Sequence, residues 1–148
     1  MAATLQQILL TPDTQPKVIA DCHALIEQEI KDKSGISGTA VKLAYKTITS
    51  FAPGYYNGMV EELVPLIVEK LKPYWADFST SGSSEFGDYL VKRGGEVSEA
   101  LLEVTDDYAS KSDKPVILRA YKTVRGSAGK NIEAALPRVG EMVRKYAG

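Results

Sequence analysis

Apolar residues recur every three or four positions along almost the whole chain, and no run alternates apolar with polar residues as a half-buried strand would. That spacing puts one apolar stripe on each of a series of helices and predicts an all-α fold. Thr4 and Gln7 have the form of a capping box opening a short helix through Leu10, which Thr11-Pro12-Asp13 stops. Asp13 or Thr14 caps the next helix, with Pro16 in its first turn; Ile19, Cys22, Leu25, Ile26 and Ile30 share one face, and Ser34-Gly35 ends it. Val41, Ala44, Ile48 and Phe51 mark a third helix over about 38–52, closed by Pro53-Gly54. A fourth carries Val60, Leu63, Val64, Ile67, Leu71, Trp75 and Phe78, with Trp75 expected as a buried anchor. Pro65 inside it predicts a kink or a restart, and the polar segment 79–84 reads as a loop.

The second part repeats the theme. A short helix is expected over about 85–93, interrupted by Gly94-Gly95, although the stripe continues through Val97, Leu101, Val104 and Tyr108. One long, weakened helix across the glycines is the competing reading. Lys111-Ser112-Asp113 forms a turn, and Pro115 opens a helix that reaches Arg125. Gly126 to Gly129 is expected to break it, before a last helix with Ile132, Leu136, Val139, Val143, Tyr146 and an internal Pro137. The sum is seven or eight helices in one domain over residues 1–148, a length that can enclose a real core.

The two parts also correspond in detail. Ala44-Tyr45-Lys46-Thr47 recurs as Ala120-Tyr121-Lys122-Thr123 at an offset of 76, and Lys33-Ser34 recurs as Lys111-Ser112 at 78. Pro65, Ile67, Leu71 and Tyr74 recur as Pro137, Val139, Val143 and Tyr146 at 72, and Ile8-Leu9 stands opposite Tyr89-Leu90. Amphipathic helices resemble one another, but order, turns and internal prolines agree as well. The expectation is an internal duplication with halves of about 1–78 and 79–148.

A net charge of −1 hides an uneven distribution. Residues 1–74 hold 7 basic and 8 acidic residues, residues 75–113 hold 3 and 9, and residues 114–148 hold 8 and 2. Arg119, Lys122, Arg125 and Lys130 are the candidate anion contacts in the basic end. Charge balance within the chain is the preferred explanation of the asymmetry. A pI of about 5.9 and the lack of a clearly exposed aromatic among these cations weigh against nucleic acid.

Other chemistry is sparse. His23 is the only histidine, and beside Cys22 it points about 100° away on a helix, so the two cannot easily share an ion or form a nucleophile pair. Glu96, Glu99 and Glu103 line one helix face, read as solvated, with no histidine nearby to make a di-metal motif. Gly126-Ser127-Ala128-Gly129-Lys130 could cradle a phosphate at a helix start, but it lacks the full P-loop pattern and reads as an interhelical turn. The tyrosines mostly sit at stripe positions, where ring packing with a hydroxyl at the rim is expected; Tyr55-Tyr56 fits this less well and reads as exposed. No catalytic, metal or cofactor residues are assigned. No stretch is long and apolar enough to span a membrane, and the first residues lack a basic segment followed by an apolar run, so the cytoplasm is the expected compartment.

Three stretches carry a family likeness: Lys33-Ser-Gly-Ile-Ser-Gly-Thr-Ala-Val-Lys42, Ala100-Leu-Leu-Glu-Val-Thr-Asp106 and Ala134-Ala-Leu-Pro-Arg-Val-Gly140. With their spacing, the chain resembles over nearly its full length a bacterial family, best populated in actinobacteria, that is carried as a domain of unknown function. The resemblance implies a stand-alone helical protein and brings no site residues with it. From the residues, a non-enzymatic helical binding or protein-interaction module is the favoured reading, with a homo-oligomer or a protein partner both open. The alternatives are a binder of an anionic partner, nucleic acid or acidic protein, through residues 114–148, and an enzyme with an acidic metal site.

Overall fold

Thr4 makes both halves of its capping box: its hydroxyl accepts from the Gln7 N–H at 3.2 Å, and the Gln7 side chain accepts from the Thr4 N–H at 2.9 Å. Helix α1 (Leu5–Leu9) follows, then α2 (Gln15–Lys31), α3 (Gly35–Ser50) and α4 (Tyr55–Ser81). The second part holds α5 (Phe86–Lys92), α6 (Gly94–Ser110) and α7 (Pro115–Ala147). This computed structural model describes residues 3–33, 35–82 and 84–147, without the side chains of residues 36 and 37. Ser34 and Ser83, on which an expected helix stop and part of an expected loop fall, lie outside the described residues. Among those described the protein is all-α, with seven helices and no strand.

Punctuation by glycine is obeyed where the backbone turns left-handed. Gly54 (φ 76°) caps the start of α4 and Gly82 (φ 80°) closes its end, conformations that a side chain disfavours. Helix α4 extends to Ser81, so Ser79, Thr80 and Ser81 of the expected loop are helical, less than one turn. The Gly94-Gly95 interruption holds, because α5 ends at Lys92 and α6 begins at Gly94.

The largest departure is α7, a single helix of 33 residues. It runs through Gly126–Gly129, where a break was expected, and through Pro137; likewise α4 continues through Pro65 and Pro73. Each glycine costs about 1 kcal/mol of helix propensity relative to alanine, and tertiary packing outweighs that. Gly129 lies beneath Leu102 of α6, while Ile117, Ala120, Leu136 and Val143 of α7 are all buried.

Helix α7 is the hub, touching α1, α2, α3, α5 and α6. Its tightest approach is to α5: a β-carbon on Gly140 would stand 2.2 Å from the Gly87 Cα, so the two backbones meet directly. One core cluster joins Leu5, Leu9, Val18, Val60, Val64, Val68 and Leu71 to Phe86, Tyr89, Leu90, Val97, Leu101, Leu136 and Val143. Trp75 packs against this core but is only half-buried; its Nε1 donates to the Ala3 carbonyl at 2.8 Å, which holds the indole at the rim.

Some contacts of the two parts correspond, although α3 and α4 are separate helices where the second part has the single α7. Helix α1 rests on α4 as α5 rests on α7, and α2 touches α7 as α6 touches α4. Val64, Val68 and Leu71 are buried, as are Leu136, Gly140 and Val143, 72 positions later. Tyr45 of α3 donates to Glu27 of α2, and its counterpart Tyr121 of α7 bonds Thr105 of α6, 78 positions beyond Glu27.

Candidate functional site

The carboxylates of the middle segment are dispersed, and all but Asp88 and Glu99 have partners among the described residues. Glu96 accepts from the Tyr74 hydroxyl at 2.7 Å, and Glu103 pairs with Lys70 at 2.8 Å. A cleft of about 390 Å³ is lined by Glu62, Asp107 and Asp113, but Lys111 and Lys114 sit on the last two at 3.0 and 3.2 Å. No group of three or more His, Cys, Asp or Glu among the described residues could hold a metal ion. Cys22 faces Met142, sulfur to sulfur at 3.8 Å, and burial, with Asp21 nearby, pushes its thiol up to about 11. At neutral pH it is a thiol, not a thiolate. His23 packs edge-on against Tyr56, with ring centroids 5.0 Å apart. Tyr55 and Tyr56 are half-buried, not exposed as their Pro-Gly turn suggested, because α4 begins at Tyr55 and turns both rings onto neighbours.

The basic end divides into two sets. Arg125 grips Asp106 with two parallel bonds, Nε to Oδ1 at 2.8 Å and Nη2 to Oδ2 at 2.9 Å. Those bonds, together with one from Tyr121, hold the Asp106 carboxyl below its ordinary range. Arg138 bonds both Glu29 and Asp32, Arg144 bonds Glu85 at 2.6 Å, and Lys145 bonds Asp21 at 3.0 Å. Charge balance within the chain thus accounts for much of the asymmetry, although Arg138 and Lys145 reach α2 and not the acidic middle.

The other set is free. Arg119, Lys122 and Lys130 are exposed and have no ion-pair partner among the described residues. At about 100° per residue they fall within about 80° of one another on α7, while Arg125 is turned toward α6. The Gly126–Lys130 segment lies inside α7, so its N–H groups are committed to the helix and cannot cradle a phosphate.

Helix α3 completes this surface. It packs on the first half of α7, and a groove of about 210 Å³ runs between them. Its lining pairs by the offset of 76: Ala40 with Val116, Leu43 with Arg119, Ala44 with Ala120, Thr47 with Thr123. Leu43 is 62% exposed, and Val116 and Leu118 are each 37% exposed. No carboxylate occurs in residues 33–60 or 114–132, the two stretches that build this face. Lys42 and Lys46 of α3 are exposed and likewise unpaired among the described residues. The outcome is an apolar pair, Leu43 and Val116, amid four unpaired cations, Lys46, Arg119, Lys122 and Lys130, while Lys42 and Leu118 turn to the far flanks of their helices. Sequence reading missed Lys46 and Leu43; the acid-free stretch 33–60 was the available signal.

No curated protein and no solved structure matches the chain. A family of unknown function, DUF6918, matches residues 5–147. That match takes in every helix described above, and the chain belongs to this family.

Proposed function

We propose that this protein is a non-enzymatic helical interaction module, and that the face formed by α3 and the first half of α7 docks an acidic protein partner in the cytoplasm. The observation that carries the reading is the coincidence of four unpaired cations and the exposed Leu43 and Val116 on one surface, built from two stretches that hold no carboxylate. Cations that balance the chain internally find partners, as Arg125, Arg138, Arg144 and Lys145 do. Those on this face have none, and their like-charge repulsion is relieved when an acidic surface covers them. The apolar pair favours protein over nucleic acid, whose interfaces are more polar. A second copy joined through the same face would set these cations against each other, which disfavours an isologous dimer here. The matched lining of the groove supports an origin of the two halves by duplication, with the groove on their pseudo-two-fold axis.

The test is site-specific photocrosslinking in the native host from position 43 or 122, with exposed Val91 of α5 as control site, followed by identification of the adduct. The expected result is an acidic protein captured from 43 and 122 but not from 91, and lost in the Arg119→Glu, Lys130→Glu variant. Equal capture from position 91, or capture indifferent to charge reversal, overturns the reading. Association with the identified partner should weaken steeply with added salt, because exposed charges more than about 10 Å apart are screened at ~0.1 M.

A further inference from the structure

By sequence position the lining of the groove corresponds at Ala44 and Ala120 and at Thr47 and Thr123, and differs at Ala40 and Val116 and at Leu43 and Arg119. The α3 wall offers the exposed Leu43, and the α7 wall offers the exposed Val116 and the Arg119 guanidinium. At about 210 Å³ the groove is smaller than the ~300–1,000 Å³ that encloses a small molecule, and it lies open between two helices. A shallow trough between helices takes one row of side chains projecting at i, i+3 or i+4, and i+7, the way an amphipathic helix presents its apolar edge. Lys46 is three residues beyond Leu43, and Lys122 three beyond Arg119, so each cation shares a helix flank with the groove residue before it.

We infer that the occupant is an amphipathic helix of the acidic partner, its apolar row laid between α3 and α7 against Leu43 and its carboxylates turned toward Arg119, Lys122 and Lys46. This deepens the function proposed above and rests on it. Charge complementarity selects the occupant: a cationic surface with an apolar seam matches carboxylates that flank an apolar row. Leu43 and Val116 give the row an apolar floor from both helices, and Lys46 on α3 with Arg119 and Lys122 on α7 set cations on both flanks of the groove.

The experiment titrates the full-length protein into three fluorescent probes and reads anisotropy at low and near-physiological salt. The first is a designed helical peptide of about 18 residues with an apolar row flanked by glutamates; the second is its scrambled isomer; the third is duplex DNA. The amphipathic peptide is expected to bind about tenfold more tightly than the scrambled one, and Leu43→Glu and Arg119→Glu each to weaken it about tenfold, with Val91→Glu unchanged. Circular dichroism establishes that each variant is folded. Equal binding of both peptides overturns the helix while leaving an anion-binding face. Tighter binding of DNA overturns the protein partner as well. Sedimentation showing self-association abolished by Leu43→Glu names a second copy as occupant and overturns the inference, as does failure of the amphipathic peptide to bind.

Discussion

Tyrosine hydroxyls bonded to carboxylates on other helices fasten this fold at its rim. Tyr74 reaches from α4 to Glu96 of α6, Tyr89 from α5 to Asp77 of α4, Tyr121 from α7 to Asp106 of α6, and Tyr146 from α7 to Asp21 of α2. The sequence reading of ring in core and hydroxyl at rim was legible because each of these tyrosines sits at or beside a stripe position; the carboxylate partners come from other helices and carry no local signal. Burial alone would raise the Asp21 carboxyl, but the bonds from Tyr146 and Lys145 bring it below its ordinary value, and Asp106 is lowered by Arg125 and Tyr121. A carboxyl depressed on folding contributes stability above its unfolded value near ~3.9 that is lost as pH falls through the folded value. Burial and Glu96 raise Tyr74 to about 12, and burial and Glu62 raise Tyr108 to about 12. A raised phenol contributes stability that is full below ~10 and is lost as pH rises through the folded value. Melting temperature should therefore fall below about pH 4 and above about pH 10, and Asp106→Asn should flatten the acid limb. An acid limb unchanged in that variant counts against the bond's role. At Gly140, an added methyl meets the backbone of Gly87, so Gly140→Ala should cost about 3 kcal/mol in urea unfolding. A cost near zero would mean that α5 and α7 do not touch there.

At the scale of the helices, local signals were read well where they act on one turn and poorly where packing overrides them. The Thr4 capping box, the Pro115 start and the Gly94 interruption all stand. The Gly126–Gly129 tract does not break α7, since the cost of its glycines is local while the contacts of α7 with α5 and α6 are spread along its length. Gly126 is exposed, and a β-carbon there meets nothing within 4 Å. Gly126→Ala should accordingly stabilise the protein by about 1 kcal/mol in thermal or urea unfolding. Destabilisation by that substitution would show a helix interrupted at the tract. The candidate site divides the same way. Arg119, Lys122 and Lys130 stand out from charge counts, whereas Lys46 lies in a half whose net charge is near zero and emerges only when α3 is laid beside α7. Trp75 continues its stripe, yet its N–H needs an acceptor, and the Ala3 carbonyl supplies one at the surface.

For the molecule as a whole, the question is whether the two similar parts are domains or halves. The buried cluster draws seven residues from each part, Leu5 to Leu71 and Phe86 to Val143. Helix α7 of the second part packs on α1, α2 and α3 of the first, and α4 packs on α5 and α6. Ion pairs cross the division as well, Arg138 to Glu29 and Lys145 to Asp21. A fragment ending at Gly82 would expose the faces of α1, α2 and α3 that α7 covers, and a fragment of about 65 residues has little apolar surface to spare. Neither half should fold alone. The two fragments produced by division after Gly82, where α4 has ended and the backbone already turns, should instead associate on mixing. Each fragment alone should show weak helical circular dichroism and a broad, uncooperative melt. The equimolar mixture should recover the helicity of the intact chain and a single cooperative transition whose midpoint rises with concentration. An isolated fragment of residues 1–82 with a cooperative melt of its own would make the parts two domains that merely touch. The shared core argues for the opposite: the groove between α3 and α7 exists only when both halves are assembled, so any partner held there reads the folded whole.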